Sequence, residues 1–312
     1  MRSRAHFGRS LAVALALLGA LTLAAVARAE VVQEFSFQIK DVKLDGRYTL
    51  VFRSNSFDST GGVPDALTED YIRFPKRATV RRQFVKSRYY CDLKKLVDGL
   101  RYSHPTAPHF MDLLNQTIRG RRTPPRNARN LTAVCRFAHI GGGTVTVDAR
   151  PFVDEPFPGR FEMFWAKPRR GAVATFAIVG SADERNPIVA GNPTLRNTYP
   201  LLNVDLVNDP TPDGVYGYKI FLPVGPIAGI NISFPEVQAN TWGLTLTRKS
   251  SRCVRRNAGR CVKKRIAKKN LFWLTRPTCP PSGLLSFEAF YTYAHSPSQT
   301  KKVEMRCPKF NP

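Results

Sequence analysis

Acidic residues are scarce in this chain: 23 Asp and Glu stand against 48 Lys and Arg, a balance of +25. Such a surface attracts polyanions and anionic membranes through long-range fields. Catalytic signatures are missing as well. There is no G-x-S-x-G and no H-E-x-x-H, which excludes a nucleophile elbow and the zinc-protease helix. No C-x2-C occurs either, so the commonest structural zinc frame is excluded. After Glu30 no apolar run reaches the ~18 residues of a membrane helix. Internal repeats and long Pro/Ser linkers are also lacking, which leaves one large or two small domains.

What is present begins with an export signature. Arg2, Arg4 and Arg9 precede the apolar run LAVALALLGALTLAAVA, and Ala27-Arg28-Ala29 offers a cleavage site before Glu30. Residues 1–29 are therefore expected to be a secretory signal peptide, cleaved after Ala29, with an uncleaved membrane anchor as the alternative. Its loss removes four arginines and leaves +21 on a secreted or cell-wall-associated protein. All six cysteines, Cys91, Cys135, Cys253, Cys261, Cys279 and Cys307, follow the cleavage site. An even count in an exported chain reads as three disulfides. Sequential pairing, Cys91–Cys135, Cys253–Cys261 and Cys279–Cys307, is preferred because each pair brackets a coherent segment.

Most of residues 30–312 reads as short strands. In LLSFEAFYTY, Phe287, Ala289, Tyr291 and Tyr293 alternate with Glu288, Phe290 and Thr292, the period of a strand with one face buried. His295-Ser296-Pro297-Ser298 is a turn and Gln299–Arg306 a returning strand. An earlier hairpin turns at Asp45-Gly46. Many such strands punctuated by Pro and Gly predict an all-β, immunoglobulin-like or related antiparallel β-sandwich, or two abutting sandwiches with their weakest joint at residues 210–214. A small helical insert interrupts it over 92–120. Asp92 caps a helix carrying Leu93, Leu96, Val97 and Leu100 on one face, and Phe110, Leu113, Leu114 and Ile118 mark a second that ends at Gly120.

Residues 248–270, RKSSRCVRRNAGRCVKKRIAKKN, hold eleven Lys and Arg and no acid. The simplest picture is a basic loop closed by Cys253–Cys261 and centred on Asn257-Ala258-Gly259. Arg252, Arg255, Arg256, Arg260, Lys263, Lys264, Arg265, Lys268 and Lys269 are the candidate polyanion-binding residues. The partner would be an anionic cell-wall polymer, an anionic lipid surface or, non-specifically, nucleic acid. No aromatic appears in the run before Phe272, which counts against single-strand recognition by base stacking. A solvated loop that keeps the chain soluble is the bland alternative.

The order of several short motifs resembles a family of uncharacterised secreted proteins of high-GC actinobacteria. The pieces are Phe74-Pro75-Lys76, Cys91, Cys135, Ile140-Gly141-Gly142-Gly143, Gly217-Tyr218-Lys219, Pro277 to Pro280, Phe287 to Tyr293, and Cys307. The chain departs from that pattern at Arg77, where Gly is usual, and in adding Cys253 and Cys261. The resemblance implies an all-β exported protein and no activity, cofactor or catalytic residue.

Other chemistry is thinner, and no metal or cofactor is expected. His104 and His109 in HPTAPHF make a poor zinc frame. Asn203, Asp205, Asn208, Asp209 and Asp213 offer oxygen ligands for a hard cation, but Asp-Pro and Pro-Asp-Gly are ordinary turn formers. Paired carboxylates for glycoside hydrolysis are Asp154 with Glu155, or Glu162 with Asp183 and Glu184. His139 precedes a glycine-rich strand without a nucleophile elbow. Phe161, Phe164, Trp165, Trp242, Trp273 and Tyr291 are a carbohydrate platform or, at strand period, core. The leading expectation is a non-catalytic binding or structural protein. An envelope-directed hydrolase and a scaffold for another protein are the alternatives.

Overall fold

Period-2 alternation decides most of the backbone. The computed structural model describes residues 30–40, 49–76, 79–80, 90–103, 110–120, 129–150, 152–223, 233–241, 245–272, 274–275 and 279–307. The strands are β1 (Val31–Lys40), β2 (Thr49–Asp58), β3 (Leu67–Pro75), β4 (Thr79–Val80), β5 (His139–Asp148), β6 (Phe157–Ala166), β7 (Ala174–Ala182), β8 (Leu201–Asn208), β9 (Tyr216–Pro223), β10 (Ser233–Thr241), β11 (Thr245–Asn257), β12 (Arg260–Phe272), β13 (Leu274–Thr275), β14 (Leu284–Tyr293) and β15 (Gln299–Arg306). The signal segment 1–29 and the turn at Asp45-Gly46 lie outside the described residues.

Eleven strands form one sheet in the order β1-β2-β10-β5-β6-β7-β8-β9-β3-β14-β15. Every pairing in it is antiparallel. The sheet curls until its first and last strands meet, where the Gln299 side chain donates to the Val31 carbonyl. The expected all-β antiparallel architecture is thus present, with the strands joined in one nearly closed sheet. The turn near Asp213, between β8 and β9, links neighbouring strands of that sheet.

Residues directly opposite in a ladder share a face, so the register separates inside from outside. Asp70, Ile72 and Phe74 of β3 share the inner face with Tyr291, Ala289 and Phe287 of β14 and with Leu222 and Ile220 of β9. One part of this interior is aromatic: Phe37 stacks on Phe287 with centroids 4.2 Å apart, and Phe74 meets both edge-on. Another part is polar. Gln33 donates to Ser54 at 2.7 Å, Tyr293 donates to Gln33 at 2.9 Å, and Ser54 and Tyr291 share a hydrogen bond at 3.2 Å.

Helices cover the outer face of β5–β7. They are α1 (Leu93–Ser103), α2 (Phe110–Ile118) and α3 (Arg129–Ala138). Asp92 accepts from the Lys95 amide as the expected cap. Leu93, Leu96, Val97 and Leu100 are buried in one cluster with Phe110, Leu113, Leu114 and Ile118 and with Phe164 and Val179 of the sheet. Gly120 ends α2 with φ +70°, a left-handed stop that favours glycine. Helix α3 lies beyond the expected insert, and α4 (Pro187–Gly191) and α5 (Pro193–Asn197) are likewise additions to it. The last two are capped by Asn186 and Asn192, each followed by a proline in the first turn.

The three disulfides join Cys91–Cys135, Cys253–Cys261 and Cys279–Cys307, as the sequential pairing anticipates. Disulfides of this kind belong to oxidising compartments. Among the described residues no helix is long and apolar enough to cross a membrane.

Candidate functional site

Among the described residues, strands β11 and β12 pair only with each other, in a two-stranded sheet separate from the main one. Thirteen residues in each strand give a ribbon about 40 Å long at strand rise. Its turn is Asn257–Arg260, where Ala258 and Gly259 have φ +48° and +77°. Positive φ at both central positions is the type I′ geometry that matches strand twist, and glycine at the second makes it accessible.

The register places the predicted cations opposite one another. Arg248 faces Lys269, Lys249 faces Lys268, Arg252 faces Arg265, and Arg255 faces Lys263. Like charges directly opposite in an antiparallel pair destabilise it, by roughly 0.2–1 kcal/mol per pair. The remaining candidates stand beside them: Lys264 opposite Cys253, Arg256 opposite Cys261, and Arg260 opposite Asn257. Arg255, Arg256 and Arg260 are exposed. The contrast with the sheet is sharp. There Arg73 pairs with Asp209 and Glu288, Arg150 with Asp148, Arg160 with Asp112 and Asp183, and Arg169 with Asp205. These acids, on the sheet, its connections and α2, are engaged by arginines of the main fold, whereas the ribbon contains no acid of its own.

Two bulges of opposite sense lie near the turn. Between the pairs Cys253↔Lys264 and Arg255↔Lys263 the extra residue is Val254; between Arg255↔Lys263 and Arg256↔Cys261 it is Val262. The Cys253–Cys261 disulfide joins two residues that are not register partners, spanning both irregularities.

A second cluster lies where α2 meets the sheet. His139 Nε2 is 2.6 Å from Glu162 Oε2, and Asn115 donates to Glu162 Oε1 at 2.9 Å. Glycine at 142 makes room for this carboxylate: a Cβ there would sit 2.5 Å from Glu162 Oε2. The other proposed acids have separate duties. Asp183 is held by Arg160. Buried Glu184 accepts from the Phe110 amide at 3.0 Å, capping α2, and from Tyr199 at 3.3 Å. Burial, reinforced by the Glu184 charge, pushes the Tyr199 phenol up to about 12. Asp154 and Glu155 are exposed on a turn.

The oxygen ligands of 203–213 are likewise divided. Asp205 is taken by Thr175 and Arg169, Asp209 by Arg73, and Asp213 by Thr211 and the Val215 amide. Among the described residues no three His, Cys, Asp or Glu gather to hold an ion. Phe164, Trp165 and Tyr291 are fully buried and belong to the core. Trp242, Trp273, His104 and His109 lie outside the described residues.

What sequence reasoning missed was the pairing of His139 with Glu162, whose strands are adjacent in the sheet, and the opposed bulges of the ribbon. The crowding of glycines at 141–143 was the available signal for the first. Comparison with protein-family models, with curated proteins and with solved structures finds no match to this chain.

Proposed function

We propose that this is an exported, non-catalytic binding protein that holds anionic polymers or surfaces on the ribbon 248–270. The observation that carries the reading is the register: four cation pairs face each other across β11 and β12 with no acid between them. A ribbon that only needed solubility would gain it from charges of mixed sign without this repulsion. A bound polyanion relieves the repulsion and releases its own counterions. Export follows from the signal-like residues 1–29, from the disulfides and from the resemblance to secreted actinobacterial proteins. On architecture, we favour a nearly closed sheet as the subtype over an immunoglobulin-like sandwich, because the strands share one hydrogen-bonded order.

The test is binding of the purified protein to isolated cell walls, teichoic-type polymer and duplex DNA across a salt series. Beside it runs a variant with Arg255→Ser, Arg256→Ser, Lys263→Ser and Lys264→Ser. The expected result is steep salt dependence, with a log–log slope about 3 units shallower in the variant, close to 0.7–0.9 per lost cation. Equal slopes in both proteins would mean that diffuse net charge, not the ribbon, does the binding.

The His139–Glu162 contact favours a second reading, a hydrolase whose imidazole is oriented by a carboxylate to activate water. Turnover of a cell-wall polysaccharide or ester that drops at least a hundredfold in Glu162→Gln, with unchanged melting, would support it; no turnover by the unmodified protein rejects it.

A further inference from the structure

The ribbon's end carries something a polyanion site does not require. Val254 and Val262 are 51% and 58% exposed, the two most exposed large aliphatic side chains among the described residues. Each is the extra residue of a bulge, one on either strand, and they flank the facing pair Arg255 and Lys263. A bulge re-aims the residue it inserts. Two of opposite sense restore the register, since Asn257 faces Arg260 as an unbulged ladder would have it. The turn and the Cys253–Cys261 bridge hold this end closed. The result is an end that joins exposed apolar side chains to exposed Arg255, Arg256 and Arg260.

We infer that the end of the ribbon docks on an anionic lipid bilayer, with the arginines at the headgroup phosphates and Val254 and Val262 entering the acyl boundary. This rests on the polyanion reading above and narrows it to one partner. Charge complementarity brings the ribbon to the surface, as polybasic segments are drawn to anionic leaflets. Burial of apolar area then adds to the electrostatic attraction, the combination that seats interfacial elements in a membrane. A soluble polyphosphate or nucleic acid offers no apolar phase, so the valines would add nothing there. The strands' length of about 40 Å allows the end to reach a surface away from the residues near Thr245 and Phe272.

Co-sedimentation of the full protein with vesicles of phosphatidylcholine alone, and of phosphatidylcholine mixed with phosphatidylglycerol, tests this. Soluble polyphosphate is the second ligand, and the variant is Val254→Ser with Val262→Ser. The expected result is binding to the mixed vesicles only, about tenfold weaker in the valine variant, with polyphosphate affinity unchanged. A separate Val262→Trp protein should show a blue-shifted emission on mixed vesicles, quenched by brominated phosphatidylglycerol. If the unmodified and valine-variant proteins bind mixed vesicles equally and the emission of Val262→Trp does not shift, the lipid inference falls. Retained, salt-sensitive polyphosphate binding would in that case leave the polyanion reading standing. Binding to neither ligand overturns both.

Discussion

Asp70 is the residue whose surroundings fit it least. It is 5% exposed on the inner face of the sheet, and its Oδ1 has no hydrogen-bond partner among the described residues. Burial pushes its carboxyl up to about 8. Burial likewise raises the phenols of Tyr291 and Tyr293, with the Asp70 charge adding to the effect. An unfolded Asp70 ionises near pH ~4, whereas the folded one keeps its proton until about pH 8. The folded state therefore holds an extra proton across that window, and this residue's contribution to stability is full below it and lost as pH rises through it. The denaturation midpoint of the protein should fall between pH 5 and 8, about as far as other titrating groups allow. In Asp70→Asn that fall should be flattened and the midpoint at pH 8 raised. An unchanged pH profile would show that the folded Asp70 is ionised. The sequence offered no sign of this: Asp70 sits in TEDYIRFP, where Glu69 and Asp70 look alike, and only the strand's phase turns one outward and the other into the core.

At the scale of elements, legibility followed the locality of the signal. Helices α1 and α2 were readable because Leu93, Leu96, Val97 and Leu100, then Phe110, Leu113, Leu114 and Ile118, recur at helical spacing. Helix α3 was not. It runs directly into β5 at His139, so the strand pattern of GGGTVTVD obscured the turns before it. The short α4 and α5 have little apolar periodicity and are announced only by Asn-Pro caps at 186–187 and 192–193. Likewise the ribbon's charge was plain in the sequence, but its register and bulges depend on which residue faces which. The disulfides divide by role. Cys91–Cys135 closes a separation of 44 residues around the helices, with both cysteines buried. In the chain-entropy model that closure is worth about 4 kcal/mol. Cys91→Ala with Cys135→Ala should lower the melting temperature of the whole protein by many degrees. Cys253→Ala with Cys261→Ala should leave that melting temperature nearly unchanged while weakening ligand binding, because among the described residues the ribbon's strands pair only with one another. Differential scanning calorimetry of the two variants separates these outcomes; equal losses would tie the ribbon to the main fold.

For the molecule as a whole, the charge is unevenly used. Arg73 of the sheet is engaged by Asp209 and Glu288, while Arg248, Arg252 and Arg255 of the ribbon stand opposite other cations in the register. Net charge alone suggests a polyanion partner; the sequence gathers eleven of the cations, with no acid among them, on one element. The strand order lay beyond the sequence, because periodicity marks where strands are and not which ones meet. β2 pairs with β10, and β3 lies between β9 and β14, partners that stand far apart along the chain. This has a consequence in time. Synthesis proceeds from the amino end, so β1 and β2 exist long before β10 does, and β3 waits through most of the chain for β14. The seam where Gln299 reaches Val31 closes last of all, when the final hairpin arrives. Until then the early strands present open edges, and a chain ordered this way folds slowly, its first-made hairpin dependent on shielding until its last-made one is complete.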